Sequence, residues 1–201
     1  MTFLDKHGVL PRFQAGERFS IELGCGPRKL DAAAVGIDAL DFDCVDLVGD
    51  VFEVLAALPQ GGVSSCYSAH FFEHIDDLPR LIDELARIMA PGKIATVKVP
   101  HFANPYFYSD PTHRRFFGLY TMSYYARDAL LWRKVPNYGR MPAFELDAVT
   151  LKFDSPFPIR GLIKRTLGRV FNLTTWLQEF YEENLCYLFP CYEVEYRLRR
   201  L

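Results

Sequence analysis

Five short runs of strand-forming residues follow one another through the first hundred positions, and polar or chain-breaking residues close them. Phe19–Leu23 stops at glycines, Val35–Asp38 and Asp46–Asp50 each end on an acid, and Ile94–Val99 ends at Pro100. The remaining run, Val63–Ser68, precedes a segment from Asp77 to Met89 that sets Leu78, Leu81, Ile82, Leu85 and Ile88 on one helical stripe. Pro91-Gly92 then stops the helix. Strand and helix alternating at this spacing predict an α/β domain with a mostly parallel sheet of about seven strands, flanked by helices. Such sheets bind ligands beyond the carboxyl ends of their strands. The residues that close each run are therefore the first functional candidates.

The chain is long enough for one domain, read here as 1–201, with a binding half over 1–100 and a second half, 101–201, that supplies a loop, cap helices and the last strands. In that second half a helix is expected from Thr121 to Trp132, strands over Val149–Phe153 and Tyr192–Leu198, and helical structure from Ile159 to Leu188. A net charge of −2, with 23 basic and 25 acidic side chains, gives no general pull toward nucleic acid. The five cysteines are scattered without a ligand pattern and read as reduced thiols of a cytoplasmic protein. The N-terminus lacks the apolar core of a signal peptide, and no apolar run reaches the ~20 residues of a membrane span.

The leading motif is Glu22-Leu-Gly24-Cys25-Gly26-Pro-Arg28 at the end of the first run. Glycines at this place let the backbone turn tightly and approach a ligand. Asp38 closes the second strand, where a carboxylate can accept both hydroxyls of a ribose. Asp50 closes the third, where it can meet the exocyclic amine of adenine. Two successive acids disfavour a phosphate-bearing ligand, and Lys29 holds the place of the third glycine that a dinucleotide would want. The ligand so implied carries adenosine without pyrophosphate.

Ile21-Glu-Leu-Gly-Cys-Gly-Pro27, Val35-Gly-Ile-Asp38, Val48-Gly-Asp50, Ser68-Ala-His-Phe-Phe-Glu-His-Ile75 and Ala90-Pro-Gly-Lys-Ile94, taken in order, resemble the motifs of class I methyltransferases, in particular a small bacterial type-11-like branch with a Glu-His pair after the fourth strand. The resemblance spans about residues 18 to 118. It implies a Rossmann-like sheet and S-adenosyl-L-methionine as cofactor. Gly24 and Gly26, with Cys25 between them, would lie under the methionine part and Glu22 near its amino group. Asp38 would hold the ribose, Asp50 with Val51 the adenine, and Ser68, Ala69 and His70 would run beneath the adenosine or the sulfonium. Only about eleven residues separate Gly24 from the second strand, so the helix usual there must be very short, and Asp41 is an alternative to Asp38.

His70-Phe-Phe-Glu73-His74 also spells the His-x-x-Glu-His of a zinc peptidase class. That chemistry needs both histidines on one helical face, whereas His70 falls at a strand end, so no metal is expected. Asn104-Pro-Tyr106 echoes an amino-methylating motif but follows the fifth strand, not the fourth.

On the acceptor side, Ser109-Asp-Pro-Thr-His-Arg-Arg-Phe-Phe117 resembles a stretch of the same branch tied to sugar modification. It makes His113 a candidate general base oriented by Asp110, with His101 as a second candidate. Asp110 and Thr112 capping a turn, with His113 only positioning, is the competing reading. The acceptor is expected to be a small molecule or sugar, methylated on oxygen. Residues 160–189 mix basic and aromatic side chains, which suits packing on the sheet, a dimer contact or weak contact with a membrane surface. A monomer and a homodimer both stay open. Two rivals remain: a non-catalytic methyltransferase-like binding module and a nucleotide-dependent oxidoreductase.

Overall fold

The computed structural model describes residues 3–201. Strands β1 (Leu4–Asp5), β2 (Phe19–Leu23), β3 (Val35–Asp38), β4 (Leu47–Val48), β5 (Val63–Ala69), β6 (Ile94–Pro100), β7 (Ala126–Arg127), β8 (Phe144–Lys152) and β9 (Glu193–Arg200) form one sheet in the order β1-β4-β3-β2-β5-β6-β9-β8-β7. From β4 to β6 all neighbours are parallel; β9 runs antiparallel between β6 and β8. The expected seven strands are joined by two two-residue edge strands, β1 and β7, too short to leave a period in the sequence. Chain order reverses at β2, whose neighbours are β3 and β5, and the crevice above such a reversal is where open α/β sheets take ligands.

Helices α1 (Val9–Gln14), α2 (Val51–Ala57), α3 (Leu78–Ile88), α4 (Pro158–Phe171) and α5 (Thr175–Asn184) complete the fold. The carboxylate of Asp50 caps α2 by accepting the N–H groups of Phe52 and Glu53, and that of Asp77 caps α3 through the Arg80 N–H. Each such cap stabilises its helix by ~1 kcal/mol. The stripe expected on α3 is the buried one: Leu78, Leu81, Ile82, Leu85 and Ile88 all lie in the core.

Two expectations are corrected. No helix, even a short one, joins β2 to β3; residues 24–34 form turns. The helix expected from Thr121 to Trp132 is a single 3-10 turn, Thr121–Tyr124, followed by β7. Asp128 breaks it: its carboxylate accepts the N–H groups of Leu130 and Leu131 and the hydroxyl of Ser123, which folds the segment into a turn.

With residues 24–34 and 39–46 both free of helix, the sheet divides its faces sharply. Cys66 pairs with Ala95 and Ala95 with Leu198, all buried. One residue on, Tyr67 pairs with Thr96 and Thr96 with Arg197, none of them buried. Parallel strands with helices on both faces read as continuous apolar runs; these alternate because one face carries no helix. Cross-strand ion pairs occupy it, with Glu195 between Lys98 and Lys152 at 3.8 and 3.7 Å.

Candidate functional site

The carboxyl ends of β2, β3 and β5 meet through three short bonds. Gly24 N–H donates to the Ile37 carbonyl at 2.9 Å, and Ser68 Oγ donates to the Leu23 carbonyl at 3.1 Å. Asp38 Oδ2 accepts the Gly26 N–H at 2.8 Å while Oδ1 accepts the Leu40 N–H at 2.9 Å. Asp38, rather than Asp41, therefore sits at the glycine loop; Asp41 instead pairs with Lys6 at 2.7 Å.

The two glycines differ. Both hold left-handed backbone, Gly24 at φ +63 and Gly26 at φ +56. A Cβ on Gly24 would stand 2.6 Å from the Phe71 side chain, whereas one on Gly26 would meet nothing within 4 Å. Gly24 is thus a packing requirement, and Gly26 faces open space at the strand ends, where a ligand has room.

The remaining strand-end candidates take varied places. Glu22 is buried, and its carboxylate accepts the Leu30 N–H at 2.8 Å, pinning the loop after the glycines. Cys25 is buried behind the loop, its thiol pushed up to about 12 by that burial and by the nearby Cys44. Asp50 Oδ1 is engaged in capping α2, and among the described residues no bond occupies Oδ2. Val51 opens that helix and is buried; Ser68 is fully buried as a strut, with half-buried Ala69 closing β5. His70 takes φ +54, rare for a residue with a side chain, and its Nε2 lies 2.8 Å from Glu193 Oε1. The carboxylates of Glu193 and Glu73 raise its pKa to about 9 against the opposing effect of burial.

The acceptor-side candidates separate. His101 is fully buried; Nδ1 accepts the Ala103 N–H at 3.1 Å, so Nε2–H donates to Glu182 at 2.8 Å. Nε2 holds α5 against the end of β6 and Nδ1 closes the local turn at Ala103, which leaves no lone pair for a substrate. His113 is different. Its Nδ1 lies 2.8 Å from the Phe107 carbonyl, which must be met by an N–H, so Nε2 carries the free lone pair. The expected orienting role of Asp110 is corrected: its Oδ2 is 3.7 Å from His113 Nε2, beyond a hydrogen bond, and its Oδ1 accepts from the N–H and hydroxyl of Thr112.

Sequence reasoning missed what His113 meets. The N–H groups of Arg114 and Arg115 donate to the Glu73 carbonyl at 2.7 and 3.2 Å, drawing the loop after β6 onto the turn after β5. Glu73 and His74 lie in a 3-10 turn, Phe72–His74, and one ligating atom each from Glu73, His74 and His113 falls within 4.8 Å of the others. This is not the His-x-x-Glu-His arrangement, since His70 is bonded through Nε2 to Glu193 and only reaches Glu73 at 3.6 Å, outside the ligating cluster. The Glu-His pair was the visible signal; its third partner lay forty residues downstream.

Beyond His101 opens a cleft of about 790 Å³ lined by Phe102, Tyr120, Trp132, Trp176 and Phe180 with Glu179, Glu182 and Glu183, and by none of the strand-end residues. Among the described residues, no helix is long and apolar enough to cross a membrane. The five cysteines stand free.

No family model matches the chain, and no curated protein does. Solved structures do. A SAM dependent methyltransferase from Archaeoglobus fulgidus matches with a TM-score of 0.61 at 17% identity, over 97% of this chain and 94% of that one. Phosphoethanolamine N-methyltransferase 2 of Haemonchus contortus, in complex with S-adenosyl-L-methionine, matches with a TM-score of 0.51 at 13% identity, over 96% of this chain and 51% of that one. What is shared at such identities is the architecture: the chain has the class I methyltransferase fold.

Proposed function

We propose that this chain is an S-adenosylmethionine-dependent methyltransferase acting on an oxygen of a small molecule or sugar. The observation that carries the reading is the Asp38 carboxylate held on the Gly26 N–H at 2.8 Å, beside open space at the reversal point of a class I sheet. Each Asp38 oxygen accepts one backbone bond and keeps a second acceptor position for a ribose hydroxyl. Asp50 Oδ2 stands ready for an amine at the next strand end. When bound, the cofactor supplies a methyl group made electrophilic by its sulfonium. The protein's part is to orient the acceptor and exclude water, and orientation alone can contribute ~7–11 kcal/mol. Glu73, His74 and His113 stand on the acceptor side, and the aromatic cleft beyond His101 offers faces on which a sugar ring can stack.

Titration calorimetry of the purified protein with S-adenosylmethionine and, separately, NAD tests this. Micromolar binding of the first alone, weakened at least tenfold in Asp38→Ala, supports the reading. Binding of NAD instead would favour the oxidoreductase, and cofactor binding without turnover on any nucleotide sugar or small hydroxyl acceptor would favour the non-catalytic module.

A contact with an anionic membrane surface through 160–189 belongs to the same proposal. Ile163, Leu173 and Trp176 of this segment are exposed, and so are Arg160, Arg165 and Arg169. Co-sedimentation with anionic but not neutral vesicles is expected; no sedimentation with either removes the idea.

A further inference from the structure

Glu73 is fully buried, and among the described residues neither of its carboxylate oxygens has a hydrogen-bond partner. A buried carboxylate that makes no hydrogen bond is expensive, and proteins compensate such groups with closely placed cations or a metal. His70 Nδ1 lies 3.6 Å from Oε1, a long ion-pair contact, and its Nε2 is held more closely by Glu193 at 2.8 Å, so Glu73 only shares that cation. Two imidazoles complete the surroundings, and both are arranged to present a lone pair. Thr112 Oγ1 donates to Asp110 Oδ1 at 2.6 Å, so it accepts from His74 Nδ1–H at 2.9 Å, and the lone pair of His74 rests on Nε2. His113 is fixed the same way by the Phe107 carbonyl. Histidines that bind metals are typically oriented by such bonds at the other nitrogen.

We propose that Glu73, His74 and His113 hold a divalent first-row transition-metal ion. One carboxylate and two neutral imidazoles suit zinc or manganese better than magnesium, which prefers oxygen ligands and water. Three protein ligands leave coordination positions open. The site adjoins the glycine loop, because Phe71, two residues before Glu73, packs against Gly24. The role assigned to the ion rests on the methyltransferase reading: an acceptor hydroxyl takes an open position, the ion stabilises its deprotonated oxygen, and the proton passes to solvent water. His113 then acts as a ligand and not as a general base.

The test uses the full chain freed of metal by chelation and dialysis, titrated calorimetrically with Zn²⁺ and Mn²⁺, with the absorption spectrum of added Co²⁺ reporting coordination. One equivalent is expected to bind, and Glu73→Gln and His113→Asn should each weaken it at least tenfold with an unchanged far-UV circular dichroism spectrum. His74→Asn serves if either variant fails to fold. Failure of the folded wild-type chain to bind either ion, or equal binding by Glu73→Gln, overturns the site. S-adenosylmethionine is titrated in parallel on the wild type. If it does not bind while Zn²⁺ binds through Glu73, the metal site stands and the acceptor role falls with the methyltransferase reading.

Discussion

Lys29 donates from Nζ to Asp46 Oδ2 at 2.9 Å and to the Ala34 carbonyl at 2.7 Å, tying the loop after the glycines to the residue that leads into β4. Asp46 Oδ2 also accepts the Gly36 N–H at 2.8 Å. The two side chains are only 12% and 15% exposed, so the pair is little screened by water. In a sheet with no helix between β2 and β3, this tie does the fixing that a helix otherwise does. It also explains why a lysine holds the third-glycine position. Lys29→Met is expected to cost roughly 2–4 kcal/mol, because it leaves a nearly buried carboxylate short of its cation. Urea denaturation measures it, and a wild-type midpoint would show that the tie contributes nothing. Cofactor affinity should fall with it, since the loop after the glycines then keeps the Glu22–Leu30 bond but loses the Lys29 tie.

The same carboxylate sets a pH dependence. Burial works to raise the Asp46 pKa, but Lys29, the Gly36 N–H and His7 outweigh it, and the group titrates below its ordinary value. A depressed folded pKa gives stability that is present above the unfolded value of ~3.9 and is lost as pH falls through the folded one. Asp46→Asn should therefore be less stable than wild type near neutrality, and the gap should narrow below about pH 4. Denaturation midpoints from pH 3 to 7 decide it; parallel curves would mean that Asp46 is not the titrating group.

Gly24 and Gly26 should respond differently to alanine although both have positive φ. Each substitution carries the ~1–2 kcal/mol of a left-handed alanine. Only Gly24→Ala adds a clash, with Phe71 at 2.6 Å. Gly24→Ala is expected to be the more damaging to stability, with part of the excess recovered in a Phe71→Ala background. Gly26→Ala should mainly weaken cofactor binding, because its new methyl enters open space at the strand ends. Equal stability losses for the two would contradict this division.

How much of this was legible follows the range of the interactions. Strands β2, β3, β5 and β6 and the stripe of α3 depend on local period and terminators, which the sequence displays. Helix α2 is only seven residues long and its start is marked by the same Asp50 that reads as a strand-end ligand contact, so the cap is hidden behind the site motif. The ten residues between Gly24 and Val35 are too few for a covering helix with its turns, which foreshadows the bare face of the sheet. At the site, Gly26 and Asp38 were readable because strand ends in a parallel sheet converge by topology. The meeting of Glu73 with His113 was not, since it depends on two backbone bonds from Arg114 and Arg115 to a turn forty residues earlier. Nor does spacing reveal that the nitrogens of His101 are both occupied.

That last arrangement yields the fourth prediction. Glu182 accepts His101 Nε2–H through Oε2 and the Leu119 N–H through Oε1, each at 2.8 Å, and so joins α5 to the end of β6 and to the segment that follows. Glu182→Ala strands two donors, at ~1–3 kcal/mol for each buried group left unpaired. His101→Asn removes one of the two bonds and leaves the Leu119 contact in place. The two changes are therefore expected to be non-additive, the double variant being more stable than the sum of the single losses implies by roughly 1–2 kcal/mol. A double-mutant cycle by chemical denaturation measures the coupling. If the losses simply add, the His101–Glu182 bond is not what holds α5 in place, and His101 must be reconsidered for a role at the acceptor.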